Sequence, residues 1–145
     1  ALKARECRVD MLLGASTASK IYAPLDGKRV VHSMTLVTED ASAGFQGRVT
    51  DLLEGIITEN NIDAIYSCGP MAMLRAIQQI ADVFDIPHQV SVEESMACGI
   101  GVCMTCVVPR RDASGTYKMV RTCIDGPVMM GDDVLWSYDP DLVVG

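Results

Sequence analysis

Four of the six cysteines in this 145-residue chain crowd one stretch, residues 96–123, MACGIGVCMTCVVPRRDASGTYKMVRTC. Four residues separate Cys98 from Cys103, two separate Cys103 from Cys106, and sixteen separate Cys106 from Cys123. Thiolates are soft metal ligands, and a tight triplet followed by one distant cysteine is a metal-site spacing. CxxxxCxxC with a lone fourth cysteine is the plant-type [2Fe–2S] order, in which two thiolates hold each iron. A structural zinc site more commonly carries two CxxC pairs or Cys/His mixtures, and neither His32 nor His88 lies near this segment in sequence. Disulfides are the blander alternative for an even set of cysteines, and they require an oxidising compartment for which nothing in the chain argues. Gly99 and Gly101 fall between the first two cysteines, where the loop must wrap closely and positive φ is expected.

The elements that would position these cysteines follow from the apolar pattern. Residues 7–13 (CRVDMLL) read as a short strand ended by Gly14. Residues 20–25 read as a brief helical piece stopped by Pro24 and Gly27, and 29–38 (RVVHSMTLVT) as the next strand. A glycine-bearing loop, 40–47, leads into a helix over 49–60, where Leu52, Leu53, Ile56 and Ile57 recur at helical spacing. Residues 63–67 (DAIYS) form a third strand, apolar enough to be covered on both faces. Cys68-Gly69-Pro70 follows it, and Pro70 suits the first turn of a helix over 71–84. A fourth strand over 88–92 leads into the cysteine segment. Its sixteen-residue gap is explained by a hairpin with Arg110, Arg111, Asp112 and Gly115 at the tip, returning the chain so that Cys123 meets the triplet. Residues 128–138 then supply apolar side chains, Trp136 among them, to cover this small domain or a partner.

Alternating strands and helices imply parallel βαβ units, with ligands outside the carboxyl ends of the strands. The fold class is therefore α/β: a partial Rossmann-like parallel sheet over residues 1–92, followed by a small cysteine-rich [2Fe–2S] domain over 93–145. No GxGxxG precedes Gly14, so a complete dinucleotide site is not present in the sequence. A net charge of −7 with no basic stripe argues against nucleic acid. No run of 18 or more apolar residues reads as a membrane span, and no leader pattern is seen, so a reducing cytoplasmic setting is expected.

Four segments carry a family resemblance: LLGAS (12–16), the TED…GFQGRVTDLL stretch (38–53), IYSCGPMAML (65–74) and SVEESMACGIGVCMTCVV (91–108). Together they resemble the electron-transfer subunits of bacterial dihydroorotate dehydrogenase, within the ferredoxin–NADP reductase superfamily. The resemblance implies an FAD barrel, then a nucleotide-binding domain, then a C-terminal [2Fe–2S] domain, of which this chain corresponds to the last two-thirds or less. It implies Cys98, Cys103, Cys106 and Cys123 as cluster ligands. It places Cys68, Gly69 and Pro70 beside the nicotinamide, and Gly14, Ser16, Glu39 and Asp40 near the adenosine half; Ser16 stands where such proteins often carry Arg. A piece lacking the FAD barrel and the first βα unit is expected to bind neither FAD nor NAD(H) tightly, and no catalytic residue is assigned within it. The implied function is a relay from NADH through FAD and the cluster to an FMN-containing catalytic subunit in pyrimidine biosynthesis.

Plainer readings stand beside these. Cys68 is also what a small buried residue at a strand end looks like, and Cys7 reads as core or surface. Glu39 and Asp40 fit a solvated strand end, His32 and His88 fit structural roles, and the nine methionines fit core filling, although Met96 and Met104 could sheath a cluster. The flavin subunit of a cytosolic hydrogenase or a ferredoxin–NADP oxidoreductase shares the fold. A zinc-stabilised interaction module is the alternative of another class.

Overall fold

The computed structural model describes residues 2 and 5–137; Tyr138, at the end of the expected apolar segment, lies outside the described residues. The chain forms two compact units, Ala1–Gly55 and Ile56–Gly145.

In the first unit, strands β1 (Asp10–Ala15), β2 (Ser33–Thr38) and β3 (Phe45–Gln46) pair in parallel in the order β1-β2-β3. β1 starts three residues later than its apolar run, and Gly14 lies inside it, opposite Val37, where a terminator was expected. A Cβ at Gly14 would stand 2.6 Å from Val49 Cγ1, at the start of helix α2 (Val49–Asn60). Gly14 therefore permits close strand–helix packing and does not break the strand. Pro24 is also a correction: it opens α1 (Pro24–Val30), which Gly27 fails to stop. Proline has no N–H to lose in the first turn, so it starts this helix. Val30 is thereby helical, and the strand expected from residue 29 begins only at Ser33. Thr38 is fully buried; its hydroxyl donates to Ala43 O (2.7 Å) and accepts from Ala43 N–H (3.0 Å). That hydroxyl folds the loop back along β2, and Gly44 (φ +66°) makes the return possible, since a Cβ there would strike Leu36 O.

In the second unit, β4 (Ile65–Gly69) pairs in parallel with β5 (His88–Val92), and β8 (Val128–Met130) adds antiparallel to β5. β4 alternates instead of being covered on both faces: Ile65 is buried while Tyr66 is 63% exposed. Helix α3 (Met71–Phe84) starts where Pro70 predicts, with Pro70 itself as the capping residue, and it ends at Asp85 in the left-handed region (φ 52°). Its face carries Leu74, Ile77 and Ala81 into the core. Leu74, Val90, Val92, Val108, Met129 and Val134 form one buried cluster, against which Met71, Met73, Val120 and Trp136 pack. Trp136 thus packs on the core of the second unit, with its indole N–H donated to Gly131 O at 2.9 Å.

A polar seam crosses this core. Gln78 Nε2 donates to Asp82 (2.6 Å) and Asp132 (2.7 Å), which leaves its Oε1 facing His88 Nδ1 at 2.9 Å. His88 Nδ1 must then carry the proton, so Nε2 accepts from the Ser67 hydroxyl at 2.6 Å. Gly131 is required beside this seam, because a Cβ there would lie 1.7 Å from Gln78 Oε1.

β6 (Val107–Arg111) and β7 (Tyr117–Arg121) form the expected hairpin. Its tip is shorter than expected: Arg110 and Arg111 lie within β6, opposite Lys118 and Tyr117. Asp112 caps the turn by accepting from Ser114 N–H (2.9 Å), Thr116 N–H (3.1 Å) and Lys118 Nζ (2.6 Å). No helix among the described residues is long and apolar enough to cross a membrane.

Candidate metal centre

The cysteine loop leaves β5 without regular secondary structure and re-enters the fold at β6. Cys106 immediately precedes β6 and is 3% exposed; Cys123 lies in the short helix α4 (Thr122–Asp125), directly after β7. Ladder pairing of Val107 with Arg121, extended by Thr122 N–H donating to Cys106 O (2.9 Å), sets these two cysteines side by side. The hairpin closes the sixteen-residue gap by backbone hydrogen bonding alone.

The first two cysteines meet within their own loop. Cys98 Sγ accepts from the backbone N–H groups of Val102 (3.4 Å) and Cys103 (3.5 Å). Amides converge there because the backbone enters the left-handed region at Gly99 (φ 65°) and Gly101 (φ 78°), and again at Met104 (φ 58°). Gly101 also runs flush against Ile124, whose Cδ1 would lie 2.5 Å from an added Cβ. The Thr105 hydroxyl donates to Cys103 Sγ at 3.1 Å. The amides favour thiolate over thiol at Cys98, which is drawn down to about 6, first by the Cys103 N–H and then by that of Ile100.

In the second pair the two thiols shift in opposite directions. Cys106 is lowered by hydrogen bonding from the Cys123 backbone and side chain, while Cys123 is raised, first by its contact with Cys106. Charge on Cys98 also reaches Cys123, so the two pairs sense each other. All six cysteines are free thiols. Among the described residues no three His, Cys, Asp or Glu side chains form a group able to hold one metal ion. The thiols instead divide into 98 with 103 and 106 with 123, which is the division a binuclear cluster makes. Soft donors, amides turned toward sulfur and glycines where the loop must close fit such a group.

The remaining predicted site residues fall in the two units separately. In the first, Gly14 sits within β1, Ser16 is exposed just beyond it, and Glu39 N–H donates to Ala15 O (3.3 Å), so these residues share the carboxyl ends of β1 and β2. The Asp40 carboxylate accepts from Ser42 N–H (3.0 Å) and hydroxyl (2.5 Å), which holds it below the usual carboxylate range. Ser42 in turn accepts from Ala18 N–H at 2.7 Å, tying the two loops together. In the second unit, Cys68 and Gly69 end β4, and Gly69 (φ 149°) has Met73 Cε 2.7 Å from where a Cβ would be. Cys68 is exposed, not the small buried residue of the plainer reading; its thiol donates to Glu93 Oε1 at 3.3 Å, and partial desolvation followed by that carboxylate pushes it up. Sequence reasoning misses Glu93, Thr105 and Arg121. Glu93 and Arg121 reach partners 25 and 20 residues away, which only the strand register brings together; Thr105, inside CxxC, was findable from its place between two ligands.

Strands paired in parallel beside helices, together with a loop of paired thiols, define the class: an α/β fold carrying a cysteine segment of the iron–sulfur type. Residues 93–135 match the family described as the iron-sulfur cluster binding domain of dihydroorotate dehydrogenase B. The chain is 39% identical over 129 residues to the dihydroorotate dehydrogenase B (NAD(+)) electron transfer subunit of Caldanaerobacter subterraneus subsp. tengcongensis, covering 82% of this chain and 51% of that one. It is 46% identical over 99 residues to the Listeria monocytogenes serovar 1/2a electron transfer subunit, covering 68% of this chain and 37% of the relative. A solved chain from a study of the NADH-dependent reduced ferredoxin-NADP oxidoreductase superposes with a TM-score of 0.71 at 28% identity, covering 94% of this chain and 47% of that one. The chain belongs to the family of dihydroorotate dehydrogenase B electron transfer subunits, and it spans about half the length, or less, of the curated relatives it matches.

Proposed function

We propose that this chain carries the cluster-binding and part of the nucleotide-binding machinery of an electron relay. In the full-length protein, electrons from NADH pass through FAD to a [2Fe–2S] centre and on to the flavin of an FMN-containing dihydroorotate dehydrogenase subunit, in the cytoplasm. The observation that carries this reading is the two-by-two pairing of four thiols inside the matched segment. Cys98 and Cys103 would hold one iron and Cys106 and Cys123 the other, within a domain spanning 93–145; residues 1–92 would serve the nucleotide.

When bound, the [2Fe–2S] centre supplies one-electron chemistry, which splits the two-electron delivery of a hydride. The protein's own residues do the rest. The amides of Val102 and Cys103 and the Thr105 hydroxyl stabilise charge on sulfur. Met96, Ile100, Val102 and Met104 stand exposed on the same loop, the kind of surface a partner covers. Cys68, Gly69 and Pro70 would take the nicotinamide end of the dinucleotide. Gly14, Ser16, Glu39 and Asp40 would lie toward the adenosine, with Asp40 already engaged by Ser42.

Protein prepared without oxygen is expected to be red-brown, to hold about two irons per chain, and to bleach on reduction. Cys103→Ser should abolish both iron and colour; a fully loaded variant would refute the ligand assignment. A colourless preparation with about one zinc would favour a structural module. The solved neighbour supports a second reading, a ferredoxin–NADP oxidoreductase subunit. Reduction of ferredoxin in place of the dihydroorotate dehydrogenase flavin would select it.

A further inference from the structure

Arg121 ends β7, yet its side chain reaches back to the cysteine loop, where Nη1 donates to Gly101 O at 3.0 Å in a partly buried contact. Its other face is held by Asp125, whose Oδ2 accepts from Arg121 N–H (2.9 Å) and Nε (3.4 Å). The Gly101 carbonyl and the Val102 N–H are the two ends of one peptide group, and that N–H donates to Cys98 Sγ at 3.4 Å. One guanidinium thus fixes the peptide whose N–H is donated to Cys98.

We propose that Arg121 is a positioning residue that raises the reduction potential of the centre through the Gly101–Val102 peptide. The inference rests on the reading of Cys98 as a cluster ligand. Reduction adds one electron and therefore one negative charge, with no bond made or broken in the protein. A cationic donor on the carbonyl polarises the peptide and strengthens its N–H toward sulfur. The fixed positive charge also favours the more negative state, and both effects act in the direction by which hydrogen bonds and charge tune such clusters. Asp125 opposes it by partly neutralising the same guanidinium. Arg111, by contrast, is committed to Asp132 O (2.9 Å) and the Tyr117 hydroxyl (3.3 Å).

The test is a potentiometric titration of the full-length protein, followed by the electron paramagnetic resonance signal of the reduced centre, with iron content and visible spectrum recorded for every variant. Arg121→Gln should shift the reduction equilibrium tenfold or more toward the oxidised state, which is about 59 mV more negative for one electron. Arg121→Lys should recover much of that shift, and Asp125→Asn should move the potential the other way. Opposite signs from the two partners are what simple loosening of the loop does not produce. An Arg121→Gln protein with full iron and an unchanged potential overturns the proposal. Should that variant fail to hold iron, Asp125→Asn decides: a positive shift upholds the role of Arg121, and no shift or a negative one refutes it. Wild-type protein without iron would instead remove the ligand reading on which the proposal stands.

Discussion

At the scale of single residues, the cysteine loop separates two glycines that look alike in sequence. Gly99 and Gly101 both adopt positive φ, but a Cβ on Gly99 meets nothing within 4 Å, whereas one on Gly101 would lie 2.5 Å from Ile124 Cδ1. Alanine at either position carries the left-handed penalty of about 1–2 kcal/mol; at Gly101 it also displaces Ile124 or the turn that presents Val102 N–H to Cys98. Gly101→Ala is therefore expected to lower iron occupancy well below that of Gly99→Ala, measured as iron per chain after identical anaerobic reconstitution. Equal loading of the two would mean that close packing against Ile124 does not shape the loop. The CxxxxCxxC order could be read directly because three ligands lie within nine residues of chain. The Arg121–Gly101 contact could not, since it exists only once the hairpin register is fixed.

At the scale of elements, α3 is the member on which the second unit is assembled. Leu74 is fully buried among Val90, Val92, Val108, Met129 and Val134, side chains drawn from β5, β6, β8 and the segment after it. Leu74→Ala should destabilise the unit by about 2–5 kcal/mol, the usual cost of such a cavity, read as a lower urea midpoint by Trp136 fluorescence. Destabilisation under about 1 kcal/mol would show that the core refills the space. Both α2 and α3 were legible to their ends, because an apolar stripe at helical period spans each and proline marks where α3 begins. The region of residues 7–33 was not. There, short apolar runs suit strand or helix equally, and Pro24 reads as a stop or a start depending on which side the helix lies. The tertiary partner decides: β1 occupies only the residues that pair with β2, and Gly14 stays within it because Val49 needs the space.

At the scale of the whole molecule, stability is linked to pH through a group with no catalytic part. His88 is 1% exposed, and burial lowers its affinity for a proton despite the opposing charges of Asp132 and Asp82. Its neutral ring is also specified by geometry, since Gln78 Oε1 takes the Nδ1 proton and Ser67 donates to Nε2. A histidine near 6.5 when unfolded and lower when folded leaves the unfolded chain binding more protons in the interval between the two values. Stability from this source is therefore complete above about pH 6.5 and drains away as pH falls through that interval. Replacing the ring tests the sign. His88→Asn should cost about 1–3 kcal/mol at pH 7.5, because it disturbs buried partners on both sides of the ring. It should also flatten the acid limb of the profile, so that the gap to wild type narrows between pH 7 and pH 5. Urea unfolding of both proteins across that range, followed by Trp136 fluorescence, makes the comparison within the unit that contains the histidine. A gap that stays constant with pH would mean that His88 contributes packing alone, with its proton affinity unaltered by folding.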